Sequence, residues 1–165
     1  MKAIVVYESH WGNTAAIARA IAEGLGADAH AMNTSEATGD QLSGVELIVA
    51  GAPLLGFRLP TEAMVRSLSR EAAKAPTPPD LTHLSMRAWL EGLPKGLGRS
   101  AAFETRIWWS PGSAARSVLR MLEDAGYAPL DKPQRFLVEG RYGPLRPGEV
   151  DRARRWGEEL AREMG

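Results

Sequence analysis

Residues 3–14, AIVVYESHWGNT, run from a short apolar segment into a turn rich in Ser, Gly, Asn and Thr, and the next residues, AAIARAIAEGLG, follow a helical pattern. A short apolar run bounded by turn residues predicts a buried strand. Ile17, Ala18, Ile21, Ala22 and Leu25 then make one helix face, with Asn13 placed to cap it and Gly26 placed to end it. A strand, a tight loop and a helix N-terminus together present free N–H groups and the positive end of a helix dipole, which favours an anion. Ser9, Asn13 and Thr14 add uncharged donors. The chemistry indicated is binding of a phosphate monoester; the plainer reading is an ordinary strand–helix junction.

Other phosphate loops do not fit. The chain has no G-x-x-x-x-G-K-[ST], and the first strand is not followed by G-x-G-x-x-G, so P-loop and dinucleotide fingerprints are both missing. Residues 45–51 (VELIVAG), 101–104 (AAFE) and 135–138 (RFLV) read as further strands, with 29–32 a weaker one. Strands alternating with helical segments predict an α/β domain, a doubly wound parallel sheet with helices on both faces. A length of 165 residues with 44% hydrophobic content suits a single domain spanning 1–165.

Tyr7, Ser9 and Gly12-Asn13-Thr14 after an apolar strand resemble the FMN phosphate loop of the flavodoxin family, with Trp11 where that family usually carries Thr. The resemblance implies a five-stranded flavodoxin-like sheet of order 2-1-3-4-5 and FMN as cofactor. Its binding residues would come from three loops. The first is Ser9, His10, Trp11, Gly12, Asn13 and Thr14. The second is Ala52, Pro53, Leu54, Leu55 and Gly56, an aliphatic wall where the family often places Trp. The third is Thr105, Arg106, Ile107, Trp108 and Trp109, where one tryptophan is expected to stack on the ring and the other to pack as core. His10 is expected to face solvent.

Residues 57–81 read as an insertion beside the flavin: a helix over 61–74 with Met64, Val65 and Leu68 on one face, then a stiff Pro-rich connector over 75–79. It is either a lid or a helix that merely packs. Residues 85–91 resemble the family's helix between the third and fourth strands. Ser110 and Pro111 suit the start of a helix running to Tyr127. Glu149 to Met164 forms the last helix, with Val150, Ala153, Gly157, Leu160 and Met164 turned inward and Trp156 as core. The turn-rich residues 141–148 are placed to approach the flavin from its other side.

Twenty basic residues balance twenty acidic ones, so nothing in the charge points to nucleic acid or an acidic membrane surface. No signal-peptide pattern or membrane-length apolar run is visible, and a cytoplasmic protein with no membrane insertion is expected. The chain has no cysteine, and His10, His30 and His83 lack metal-ligand spacing, so no catalytic side chain and no metal ligand is assigned. The function expected is that of an FMN-binding redox protein, working with a redox partner protein or a small-molecule electron acceptor. An oxidoreductase linked to a quinone or NAD(P)H competes with an electron carrier, and electron-carrying flavodoxins are usually acidic where this chain is neutral. Arg58, Arg66, Arg70 and Arg106 are expected near the ring, favouring two-electron transfer. The alternative from another class is a cofactor-free flavodoxin-fold interaction module.

Overall fold

The computed structural model describes residues 1–71 and 73–165. Its centre is a parallel sheet of β1 (Ala3–Tyr7), β2 (Ala29–Asn33), β3 (Leu47–Pro53), β4 (Arg99–Ile107), β5 (Ala128–Pro129) and β6 (Gln134–Val138). The order is 2-1-3-4, with the fifth position shared: Arg99 of β4 pairs with Ala128 of β5, and Phe103 pairs with Gln134 of β6. The predicted order 2-1-3-4-5 therefore holds, with its last strand interrupted. Pro129 and Pro133 lack the N–H that a continuous ladder needs, and the Asp131 carboxylate between them turns instead to accept the Trp156 Nε1–H at 2.8 Å.

Side chains on alternate sides of the strands build two cores. On one side Ile4, Val6, Ile48, Ala50 and Ala102 pack with α4 (Met86–Glu91) and α5 (Ala115–Asp124). On the other, Val5, Val49, Phe103 and Phe136 pack with α1 (Asn13–Leu25) and α6 (Glu149–Met164). The α1–α6 contact is backbone to backbone: a Cβ at Gly157 would lie 2.3 Å from the Ile21 carbonyl oxygen, and one at Gly24 2.0 Å from that of Arg154. Short α2 (Gly39–Leu42) and α3 (Glu62–Ser67) lie in the connections. Among the described residues, no helix is long and apolar enough to cross a membrane.

Several expected details are corrected. Asn13 is the first residue of α1, not its cap; Gly12 holds that position at φ 91°, and the Asn13 Nδ2 donates to the Tyr142 carbonyl at 3.2 Å. Ser110 does not cap a helix. α5 starts at Ala115, where the Ser113 hydroxyl accepts the Arg116 N–H at 3.1 Å. The helix expected over 61–74 is Glu62–Ser67 followed by a 3-10 turn, Leu68–Glu71; its Thr61 cap accepts the Met64 N–H, and position 72 lies outside the described residues. Trp156 is buried as expected, but Val150, in the first turn of α6, is 40% exposed.

Candidate functional site

Parallel strands end together, so the loops that follow them gather at one edge of the sheet. A narrow cleft of about 80 Å³ there is lined from the loop after β1 by Ser9, His10, Trp11, Asn13 and Thr14. Pro53, Leu54 and Leu55 line it from the end of β3, and Thr105, Arg106 and Ile107 from the end of β4. Val138, at the end of β6, and Arg141 complete it; neither was expected from the sequence as a binding residue.

The loop after β1 is built to present donors. The left-handed Gly12 turns the chain into α1, whose first intrahelical bond is Ala16 N–H to Gly12 O. The N–H groups of His10, Trp11, Asn13, Thr14 and Ala15 consequently find no acceptor among the described residues. The Gly12 N–H turns back on the Ser9 hydroxyl at 3.2 Å. The Thr14 and Thr105 hydroxyls bond at 2.8 Å, tying the first loop to the third, and both are buried.

Buried carboxylates fix the neighbouring loops. Glu104, with no exposed surface, accepts the Ser113 hydroxyl at 2.8 Å, the Arg106 guanidinium at 3.3 Å and the Ala115 N–H of α5 at 3.4 Å. Arg106 also donates to the Gly112 carbonyl at 2.8 Å, so the pair folds residues 108–114 over the end of β4. Leu55 and Arg58 exchange both backbone bonds at 3.1 Å around Gly56 and Phe57, whose φ values of 52° and 67° are those a tight hairpin turn demands. Arg58 then bridges to Ser113, joining the second and third loops.

Gly56 therefore sits at a turn tip and Ala52 inside the sheet, neither on the cleft wall. Trp108 and Trp109 occupy a turn closed by Ser110 N–H to Ile107 O and are 63% and 61% exposed. The expectation that one of them packs as core is overturned: the buried Glu104–Arg106 pair fills the space beneath the turn and leaves both indoles outside. Trp108 instead lines an adjoining groove with Lys132 and Arg135. Of the four arginines expected near the ring, Arg106 lines the cleft; Arg58, Arg66 and Arg70 do not, and Arg141 does. Arg106 and Arg141 are paired with Glu104 and Glu71, respectively.

His10 is also corrected. It is 6% exposed, with Nε2 2.8 Å from the Glu8 carboxylate and Nδ1 3.0 Å from the Asp80 carbonyl. Burial alone would lower its pKa, but the hydrogen bonds to Glu8 and Asp80 and the charge of Glu8 carry it above the usual histidine value. His83, distant in sequence, stacks on it with ring centroids 6.0 Å apart and accepts the Ser9 N–H at Nε2, 3.1 Å away. Its pKa is pushed down, first by burial. Residues 77–83 thus clasp the loop, since the Asp80 N–H donates to His10 O at 2.8 Å and the Trp11 Nε1–H to Thr77 O at 3.0 Å. Only the pairing of a loop His with a carboxylate two residues away could have hinted at this in the sequence; the part played by His83 carried no local signal.

Residues 4–72 match the family model of the flavodoxin domain. No curated protein matches the sequence. Among solved structures, the fold is similar to a flavodoxin from the Archaea, at 23% identity and TM-score 0.68, covering 99% of both chains. It is also similar to flavodoxin 1 of Bacillus cereus, at 15% identity and TM-score 0.67, and to two-electron reduced flavodoxin of Megasphaera elsdenii, at 20% and 0.60. The first covers 98% of both chains, the second 97% of this chain and 98% of its own.

Proposed function

From a flavodoxin-type chain, matched to that domain over residues 4–72 and carrying that fold along its length, we infer an FMN-binding redox protein whose cofactor lies in the cleft at the strand ends. The observation that carries the reading is the set of unpartnered N–H groups at His10, Trp11, Asn13, Thr14 and Ala15 beside the Ser9 and Thr14 hydroxyls. These donors fit a phosphate monoester, and the missing Thr at Trp11 costs one hydroxyl but no backbone donor. Leu54, Leu55 and Ile107 supply an apolar wall for the ring, and the exposed Trp108 and Trp109 follow Ile107 in the third loop.

Bound FMN supplies reversible electron transfer, and the chain supplies binding and tuning. Ser9, Asn13 and Thr14 hold the phosphate end. The Glu104–Arg106 pair keeps the third loop in place, and with Arg141 it brings guanidinium charge to the cleft without leaving it unpaired. Reduction adds negative charge to the ring, and a chain of zero net charge opposes it less than an acidic one, which favours two-electron transfer to a small-molecule acceptor or a redox partner. A titration comparing FMN with riboflavin tests the site: FMN should bind at least tenfold tighter, since charge-assisted hydrogen bonds are worth about 1.5–3 kcal/mol each. Equal affinities, or a colourless protein that takes up neither, would favour the cofactor-free interaction module.

A further inference from the structure

His10 and His83 make an arrangement that one protonation state alone satisfies. Both ring nitrogens of His10 face oxygens, the Glu8 Oε2 and the Asp80 carbonyl oxygen; with Glu8 a carboxylate both are acceptors, each nitrogen carries a hydrogen and the ring is an imidazolium. His83 is the reverse. Its Nε2 receives the Ser9 N–H and must present a lone pair, which leaves its single proton on Nδ1. That Nδ1 is buried, has no hydrogen-bond partner among the described residues, and lies 3.8 Å from the nearest Asp80 carboxylate oxygen. The groups facing His83 are Glu8 from the end of β1, His10 from the loop and Asp80 from its own segment.

We propose that Asp80 and His83 form a proton-controlled latch on the phosphate loop, closed while His10 is charged and His83 neutral and released when His83 takes a second proton. The proposal rests on the FMN reading of the cleft. A proton on Nε2 would set an N–H against the Ser9 N–H and place a second cation in stacked contact with His10, at the 6.0 Å separation of the rings. Release would cost the loop its backbone restraints at Ser9 and His10, including the Asp80 N–H to His10 O bond. A loop that must be ordered on binding holds its ligand less tightly. His83 is thus a positioning residue that never touches phosphate. Its depressed pKa puts release on the acid side of the ordinary histidine value, whereas the pKa of His10 is raised above that value, so the two rings charge in sequence as pH falls.

The test is FMN affinity of the full chain by flavin fluorescence at about pH 7.5 and about pH 5, in wild type and His83→Gln. Glutamine offers Ser9 an acceptor oxygen that does not titrate. The FMN phosphate itself takes up a proton near pH 6, which weakens both proteins alike; the wild type should lose about five- to tenfold more affinity than the variant. Equal losses overturn the latch. Independently, the Ser9 amide resonance of the chain without flavin should follow the His83 ring titration in a two-dimensional NMR pH series. A Ser9 amide that stays fixed while His83 titrates overturns the proposal, even if His83→Gln fails to fold. A moving Ser9 amide in a protein that binds no FMN at either pH would support the latch and defeat the FMN reading.

Discussion

Replacing Glu104 by Ala is the most informative stability test, because this one fully buried carboxylate serves three donors. Removing it strands the Arg106 guanidinium, itself 5% exposed, and leaves the Ser113 hydroxyl and the Ala115 N–H without their acceptor. Breaking a buried ion pair from one side costs about 3–5 kcal/mol. That is a large share of the roughly 5–15 kcal/mol holding a domain together, and for a chain of this length it corresponds to a Tm lower by about 6–20 °C. Glu104→Gln keeps the shape and one acceptor oxygen, so it should cost only about 1–3 kcal/mol. Glu104→Leu combined with Arg106→Met removes both charges and fills the volume, and should recover to within about 1–2 kcal/mol of wild type. Urea unfolding followed by fluorescence and circular dichroism reads all four proteins, compared at unchanged m-value. A cost under about 1 kcal/mol for Glu104→Ala, or a double variant no more stable than Glu104→Ala, would refute the claim that this pair holds the third loop.

Gly157→Ala sets helix propensity, a gain of about 1 kcal/mol, against a Cβ placed 2.3 Å from the Ile21 carbonyl oxygen, a backbone atom that cannot step aside. The clash should win, with a net loss of at least about 1–3 kcal/mol in urea unfolding; a stabilised variant would show that α1 and α6 separate easily. Thr14→Ala should weaken FMN by about tenfold or more while leaving riboflavin binding nearly unchanged, and parallel losses for both flavins would remove Thr14 from the phosphate end. Either Trp108→Ala or Trp109→Ala should lower FMN affinity by about two- to tenfold; if neither does, their turn does not cover the ring. Glu149 is buried, which alone would raise its pKa, but its bonds from Arg152 and the Leu137 N–H hold it below the usual carboxylate value. Its contribution is present above the unfolded carboxylate pKa and lost as pH falls through the folded one. Glu149→Gln should therefore cost about 1–2 kcal/mol near neutrality and progressively less in acid, and a pH-independent difference would assign the loss to packing.

The strands and the two outermost long helices were legible because each obeys a local rule. The apolar runs at 3–7 and 47–53 are buried on both faces of a parallel sheet, and α6 ends where its pattern ends. What was misread depends on partners far along the chain. Ser110 and Pro111 have good helix-start chemistry, but Arg58, Glu104 and Arg106 hold residues 110–114 in another shape, and that tertiary hold outweighs a cap worth about 1 kcal/mol. Asn13 was free to cap, yet Gly12 made the turn and Tyr142 claimed the amide. His10 looked like a loop residue because the side chains that bury it arrive from positions 80–83, on a segment whose register no periodicity sets. The residues that present free backbone N–H groups can be read from a short motif, since the motif is the backbone conformation. Those that hold that conformation under proton control are assembled by the fold, and for His83 the bond that reveals its role is to a main-chain N–H 74 residues away. A search for histidines at metal spacing finds nothing here because the chemistry of this pair lies in which nitrogen donates and which accepts, a property of three-dimensional placement alone.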